Sequence, residues 1–145
     1  MKMSPATQKE INASLYRKPG KSRLDLETQI TKGCLDWLNM VPGVQCWRQN
    51  TGGREWIDMN GKKRYVQFGE PGQADITGIG PQGVRIEIEI KRPGEDLRPN
   101  QLIWQAFIQD RGGIVFECDS LDQCVLNLKT NFEHRGWHWD RRWEV

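Results

Sequence analysis

The segment VRIEIEIKRPG, residues 84–94, constrains this chain more than any other. Val84, Ile86, Ile88 and Ile90 take alternate positions, and Arg85, Glu87, Glu89 and Lys91 fill the gaps. Successive side chains of a strand point to opposite faces, so this period of two predicts a β-strand with one face against an apolar core. The opposite face then stacks two acids and a lysine. For the strand alone, a solvated charged surface is the simpler reading, because antiparallel sheets often leave one face in water. A reactive site is the other reading, and the neighbouring strand bears on the choice.

Residues 74–80 (ADITGIG) read as that neighbour. The intervening Pro81-Gln82-Gly83 suits a three-residue hairpin loop in which a type I turn ends on a left-handed glycine. This loop sets Gly80 opposite Val84 and, counting outward, Thr77 opposite Glu87, Ile76 opposite Ile88 and Asp75 opposite Glu89. The apolar residues then match on one face, which fixes register when only that face is buried. On the other face the β-carbons of Asp75 and Glu89 are expected about 4.5–5.5 Å apart. Two ionised carboxylates at that distance repel, so one takes a proton or a cation sits between them. Mg2+ accepts oxygen ligands and can bridge two strands. Glu87 and Glu89 lie about 6.6 Å apart along one strand, a harder span for one ion. Asp75 with Glu89 is therefore the better metal pair, and Lys91 follows on the same face, placed to stabilise phosphate charge or orient a water.

The rest of the chain frames this hairpin. A short helix is expected over residues 5–16, then a basic turn at residues 17–21 (RKPGK). Ile30, Cys34, Leu35, Trp37 and Leu38 recur at helical spacing over residues 22–40, and Pro42-Gly43 ends the run. Residues 44–49 read as a strand and residues 54–68 as a hairpin turning at Asn60-Gly61, with Lys62, Lys63 and Arg64 at its tip. Pro99 opens a helix whose Leu102, Ile103, Ala106 and Phe107 share an apolar face, and Gly112-Gly113 closes it. Residues 114–118 form a short buried strand, and Ser120 with Gln123 fits a capping box for a helix to about residue 132. The order α, β, β, β, α, β, α implies an α/β (α+β) domain: a mixed sheet with helices on both faces and a last strand that enters parallel.

A length of 145 residues suits one domain, with a core over about residues 22–132, an N-terminal helix and basic turn, and a Trp/Arg-rich tail at 133–145. Hydrophobic residues make up only 37%, but seven tryptophans supply large apolar surfaces. A net charge of +2 means that an acidic polymer would be bound through a local basic surface and not an overall field. Cys34, Cys46, Cys118 and Cys124 lack CxxC spacing and read as buried free thiols in a reducing cytoplasm. No apolar run approaches the roughly 20 residues that span a bilayer, so no membrane partner is expected.

Asp75, thirteen residues, then Glu89-Ile90-Lys91 resemble the PD-(D/E)XK nuclease superfamily. The nearer likeness is to its VRR-NUC branch, which includes small stand-alone nucleases of viruses and bacteria. It is carried by GEPGQADITGIG, IEIEIKRPGEDLRPNQLIWQAFIQDRGG and WRQNTGG, over roughly residues 26–125. The resemblance implies a restriction-endonuclease-like αβββαβ core and a Mg2+-dependent DNA endonuclease, Mn2+ substituting, with no organic cofactor. It implies that Asp75, Glu89 and the Ile90 carbonyl hold the metal and that Lys91 serves the attacking water or the phosphate. Gln101 lines the site from its helix, and Glu27 is an additional acid. Substrate shape stays open: one site cuts one strand, and cutting both strands or a symmetric branched, Holliday-junction-like DNA would need the two sites of a homodimer. Ala74 stands where the family commonly has proline, a change that shapes the turn and touches no ligand.

Alternatives stay open at several residues. Glu87 is either a surface acid or a support behind the metal ligands. Glu27 suits a helix N-terminus through the dipole alone, and Gln101 suits a first helical turn. Arg48, Gln49, Asn50 and Thr51 either bind phosphate or make a turn before Gly52-Gly53. Lys62, Lys63, Arg64 and Arg92 are candidate backbone contacts. In the tail HRGWHWDRRWEV, Trp137, Trp139 and Trp143 either stack on bases or pack onto the domain or a second subunit, and packing is the simpler reading. His134 and His138 lack the partner acid of a zinc helix. The rival to an enzyme is a non-catalytic DNA-binding or assembly module that keeps the same fold.

Overall fold

The structure, a computed structural model, describes residues 23–49 and 52–145. The expected helix over residues 5–16, the basic turn at 17–21, and Asn50 and Thr51 lie outside the described residues.

Among the described residues there are three α-helices and two sheets. Helix α1 (Arg23–Leu38) is followed by β1 (Gln45–Arg48), β2 (Gly52–Ile57), β3 (Lys63–Phe68), β4 (Ile76–Ile79) and β5 (Arg85–Ile90). Helix α2 (Pro99–Asp110), strand β6 (Ile114–Cys118) and helix α3 (Leu121–His134) complete the domain. The main sheet has the order β1-β4-β5-β6. Its first three strands pair antiparallel, whereas β6 joins β5 in parallel after the α2 crossover. This is the expected mixed sheet with helices on both faces.

The register of β4 and β5 is the expected one: Ile79 with Arg85, Gly78 with Ile86, Thr77 with Glu87 and Ile76 with Ile88. The loop that sets it differs from expectation. Gln82 as well as Gly83 takes positive φ, at 61° and 77°, so the loop is not a type I turn ending on one left-handed glycine. Register survives because the loop still spans three residues and Gly80 N–H donates to Val84 O at 2.8 Å. The expected loop type instead occurs at the tip of β2–β3. There Met59-Asn60-Gly61 is closed by Asp58 and Lys62, with Gly61 at φ 76°. Asp58 Oδ1 accepts from the Asn60 and Lys62 amides, fixing that tip.

One face of the main sheet is dry. Ile86, Ile88 and Ile90 of β5 and Ile114, Phe116 and Cys118 of β6 share a core with Cys34, Trp37 and Leu38 of α1 and Cys124, Val125, Leu128 and Phe132 of α3. The Trp-rich tail covers this core from outside. Trp139 lies edge-on to Phe132 and tilted against Trp37, and Trp37 Nε1 donates to Trp143 O at 2.7 Å. Packing onto the domain is thus what the tail does. Asn39, just past α1, holds the edge strand by both backbone groups of Cys46, at 2.8 and 3.0 Å. Gly78 on β4 permits the close approach of β1, because a β-carbon there would collide with Gln45 O and the Cys46 sulfur.

Two expectations are corrected here. Helix α2 packs on the opposite face of the sheet with Gln101, Trp104, Gln105 and Ile108 turned inward or half-buried, whereas Leu102, Ile103, Ala106 and Phe107 face solvent. The polar face of β5 is therefore what α2 covers, and that face is not a solvated surface. The capping box of α3 is also shifted. Ser120 Oγ accepts from Gln123 N–H, but the Gln123 side chain reaches back to Asp119 N–H.

Candidate active site

Asp75 sits one residue before β4, where the ladder with β5 ends. Its own carbonyl accepts from Gln49 N–H at 2.7 Å, and its Oδ2 accepts from Ile90 N–H at 2.8 Å. The side chain is thus pinned across the sheet to the strand end that carries Glu89, Ile90 and Lys91. The loop feeding Asp75 is docked in turn on α2. Gly72, at φ 82°, lies so close to the Asn100 carbonyl that no side chain would fit.

Glu89 is 6% exposed and Lys91 8%. Gln101 Nε2 donates to Glu89 Oε1 at 2.6 Å, and Lys91 Nζ stands 3.6 Å from the same oxygen. Gln101 also serves its helix, for its Oε1 accepts from Arg98 N–H at 2.8 Å. The first-turn role and the site role are therefore the two ends of one amide. Burial, and then the neighbouring Asp75 charge, push the Glu89 carboxyl up to about 8 against the pull of Lys91.

Glu87, two residues earlier on the same face, has no exposed surface at all. Its Oε1 accepts from Thr77 Oγ1 at 2.9 Å and from Arg85 Nε and Nη2 at 2.8 and 2.6 Å. Its Oε2 accepts from Ala74 N–H at 3.3 Å and Trp104 Nε1 at 3.1 Å. The surface alternative for Glu87 is thereby excluded. Its oxygens are consumed in joining β4, β5, α2 and the residue beside Asp75.

The remaining candidates are spread unevenly. Glu27 on α1 faces Arg92, with Oε2 3.8 Å from its Nη2, and Arg92 Nε is 3.4 Å from Glu95 Oε1. That Nε is buried without a hydrogen bond, so Arg92 is held between two acids and incompletely satisfied. Arg48 pairs with Ile76, which places it on the sheet face opposite Asp75 and Glu89. Lys62, Lys63 and Arg64 are exposed on the β2–β3 arm, and Arg64 Nε is paired with Asp58 at 2.9 Å. In chain order the arm lies between β1 and β4, as a two-stranded sheet of its own.

Two contributors escaped the sequence reading. Trp104 lies one helical turn after Gln101, a spacing that could have flagged a shared face. Glu117 on β6 is the register partner of Glu89 and brings a further carboxylate to this face, where Gln105 Nε2 donates to it at 3.2 Å. Nothing in IVFEC marks that acid.

No family model matches the chain, and no curated protein sequence matches it. Among solved structures, one described as a VRR_NUC domain is similar over 72% of this chain and 95% of its own length, at a TM-score of 0.50 and 20% identity. A likeness at that identity concerns architecture, and its conclusion is that this chain has the α+β fold of a VRR_NUC domain.

Proposed function

We propose that this chain is a Mg2+-dependent DNA endonuclease, with Mn2+ able to substitute, working in the cytoplasm of a bacterium or an infected cell. The observation that carries the reading is the Asp75–Glu89 pair, two acids forced together with Glu89 raised to about 8 and Lys91 3.6 Å from it. Such an oxygen-only donor set suits a hard divalent ion, whose charge would offset the repulsion between the two acids. Asp75, Glu89 and the Ile90 carbonyl would hold it. Bound there, the ion would polarise the phosphodiester and supply an activated water.

The chain's own residues do the rest. Gln101 orients one Glu89 oxygen and leaves the other for a ligand. Lys91, nearly excluded from water, supplies positive charge where the phosphate gains negative charge. Arg92, flanked by Glu27 and Glu95, adds positive charge at the residue after Lys91. The Lys62–Lys63–Arg64 arm supplies a salt-sensitive hold on the backbone. One site cuts one strand. Cutting both strands, or a symmetric junction, needs a two-fold dimer, and the exposed Leu102, Ile103 and Phe107 of α2 offer an apolar surface for it beside Gln101.

The test is incubation of the purified protein with supercoiled, linear, single-stranded and four-way-junction DNA in Mg2+, Mn2+ or EDTA. Cleavage in either metal, absent in EDTA and in Lys91→Ala, is the expected result. Binding without cleavage on every substrate overturns the reading in favour of a DNA-binding module, and equal behaviour of wild type and Lys91→Ala also overturns it.

A further inference from the structure

Behind the candidate site, inside the dry core, Cys34 of α1, Cys118 of β6 and Cys124 of α3 bring their sulfurs within 4.8 Å of one another. Each is at most 1% exposed, and none is in a disulfide. Thiols this buried usually act as small apolar side chains, and one at a time they need no further account. Three converging from three separate elements do. Sulfurs sharing a metal at about 2.3 Å stand about 3.8–4.0 Å apart, so the observed cluster needs only small side-chain adjustments.

The donor set points to the kind of ion. All three ligands are soft sulfurs, and among the described residues no His, Asp or Glu joins them. A structural zinc site needs a fourth ligand, and a dry core offers no water for that place. Charge decides in the same direction. The three sulfurs are buried among apolar side chains, so a net charge left there would be uncompensated. A monovalent ion replacing one thiol proton leaves the site neutral, whereas a divalent ion needs a second deprotonation to avoid a buried charge.

We propose that Cys34, Cys118 and Cys124 form a closed three-sulfur site for a monovalent thiophilic ion of the copper(I) class. The ion clasps α1, β6 and α3 together. Because Cys118 O accepts from Lys91 N–H at 2.9 Å, it also secures the strand end next to Lys91.

The proposal is independent of the nuclease reading, since copper(I) avoids the oxygen ligands of the Asp75 site. Anaerobic titration of the full chain with copper(I) against a chromophoric copper(I) chelator tests it. Wild type and Cys46→Ala are expected to hold one equivalent, and Cys34→Ala to bind at least about 100-fold more weakly. X-ray absorption of the wild-type complex, which depends on no variant folding, is expected to show three sulfur neighbours. Fewer than three sulfurs, a nitrogen or oxygen ligand, no retained copper in wild type, or undiminished affinity in Cys34→Ala overturns it.

Discussion

The two faces of β5 are buried to the same degree and built to opposite ends. Ile86, Ile88 and Ile90 meet α1, β6 and α3 in a core without a charged group, while Glu87, Glu89 and Lys91 are equally hidden under α2. Burial therefore does not separate core from site in this molecule. What separates them is the cover. Helix α2 is inverted relative to its composition, turning Gln101 and Trp104 onto the carboxylates and leaving Ile103 72% exposed. Within the polar face a second contrast follows: both oxygens of Glu87 accept from donors of the sheet, Arg85 and α2, whereas Glu89 accepts from Gln101 and shares its neighbourhood with the Asp75 carboxyl and Lys91.

Predictions that strain this contrast fall in order of size. Replacing Lys91 by alanine is expected to lower Mg2+-dependent cleavage by about 10³-fold with the fold intact by circular dichroism. Glu87→Ala acts first on the fold. Stranding the buried donors of Thr77, Trp104 and Ala74 is expected to cost roughly 3 kcal/mol in chemical denaturation, and a loss below about 0.5 kcal/mol would show that the network is dispensable. Glu89 gives a pH signature in chelator. Its folded carboxyl, raised to about 8, lies above the ordinary 4.5, so the folded state binds the proton more tightly. Its stabilisation is present below about 4.5 and is lost as pH rises to about 8. Glu89→Gln should flatten that slope in thermal melts. The smallest effect on stability belongs to Ile103→Asp, within about 0.5 kcal/mol for an exposed position, yet it should convert a dimer to a monomer in light scattering. An unchanged mass would remove α2 from the interface.

Much of this was legible in the sequence for a local reason. Period-two alternation and a three-residue loop fix register without reference to anything distant, and the register held even though Gln82 altered the turn. What was hidden depends on residues far apart in the chain. Leu102, Ile103 and Phe107 read as a core face because nothing local records which side of α2 meets the sheet. The burial of Glu87 follows from Trp104, Thr77 and Ala74 converging on it, and the company of Glu117 follows from the parallel pairing of β6. Cysteines at positions 34, 118 and 124 meet only once α1, β6 and α3 are packed.

The central claim is that Glu89 serves a metal and Glu87 serves the fold, and titration calorimetry with Mn2+ on wild type, Glu89→Gln and Glu87→Gln tests it most directly. The account predicts that Glu89→Gln loses binding at the Asp75 site while Glu87→Gln, confirmed folded, keeps the wild-type stoichiometry with weakened affinity. Equal losses in the two variants, or binding retained in Glu89→Gln and lost in Glu87→Gln, would contradict it.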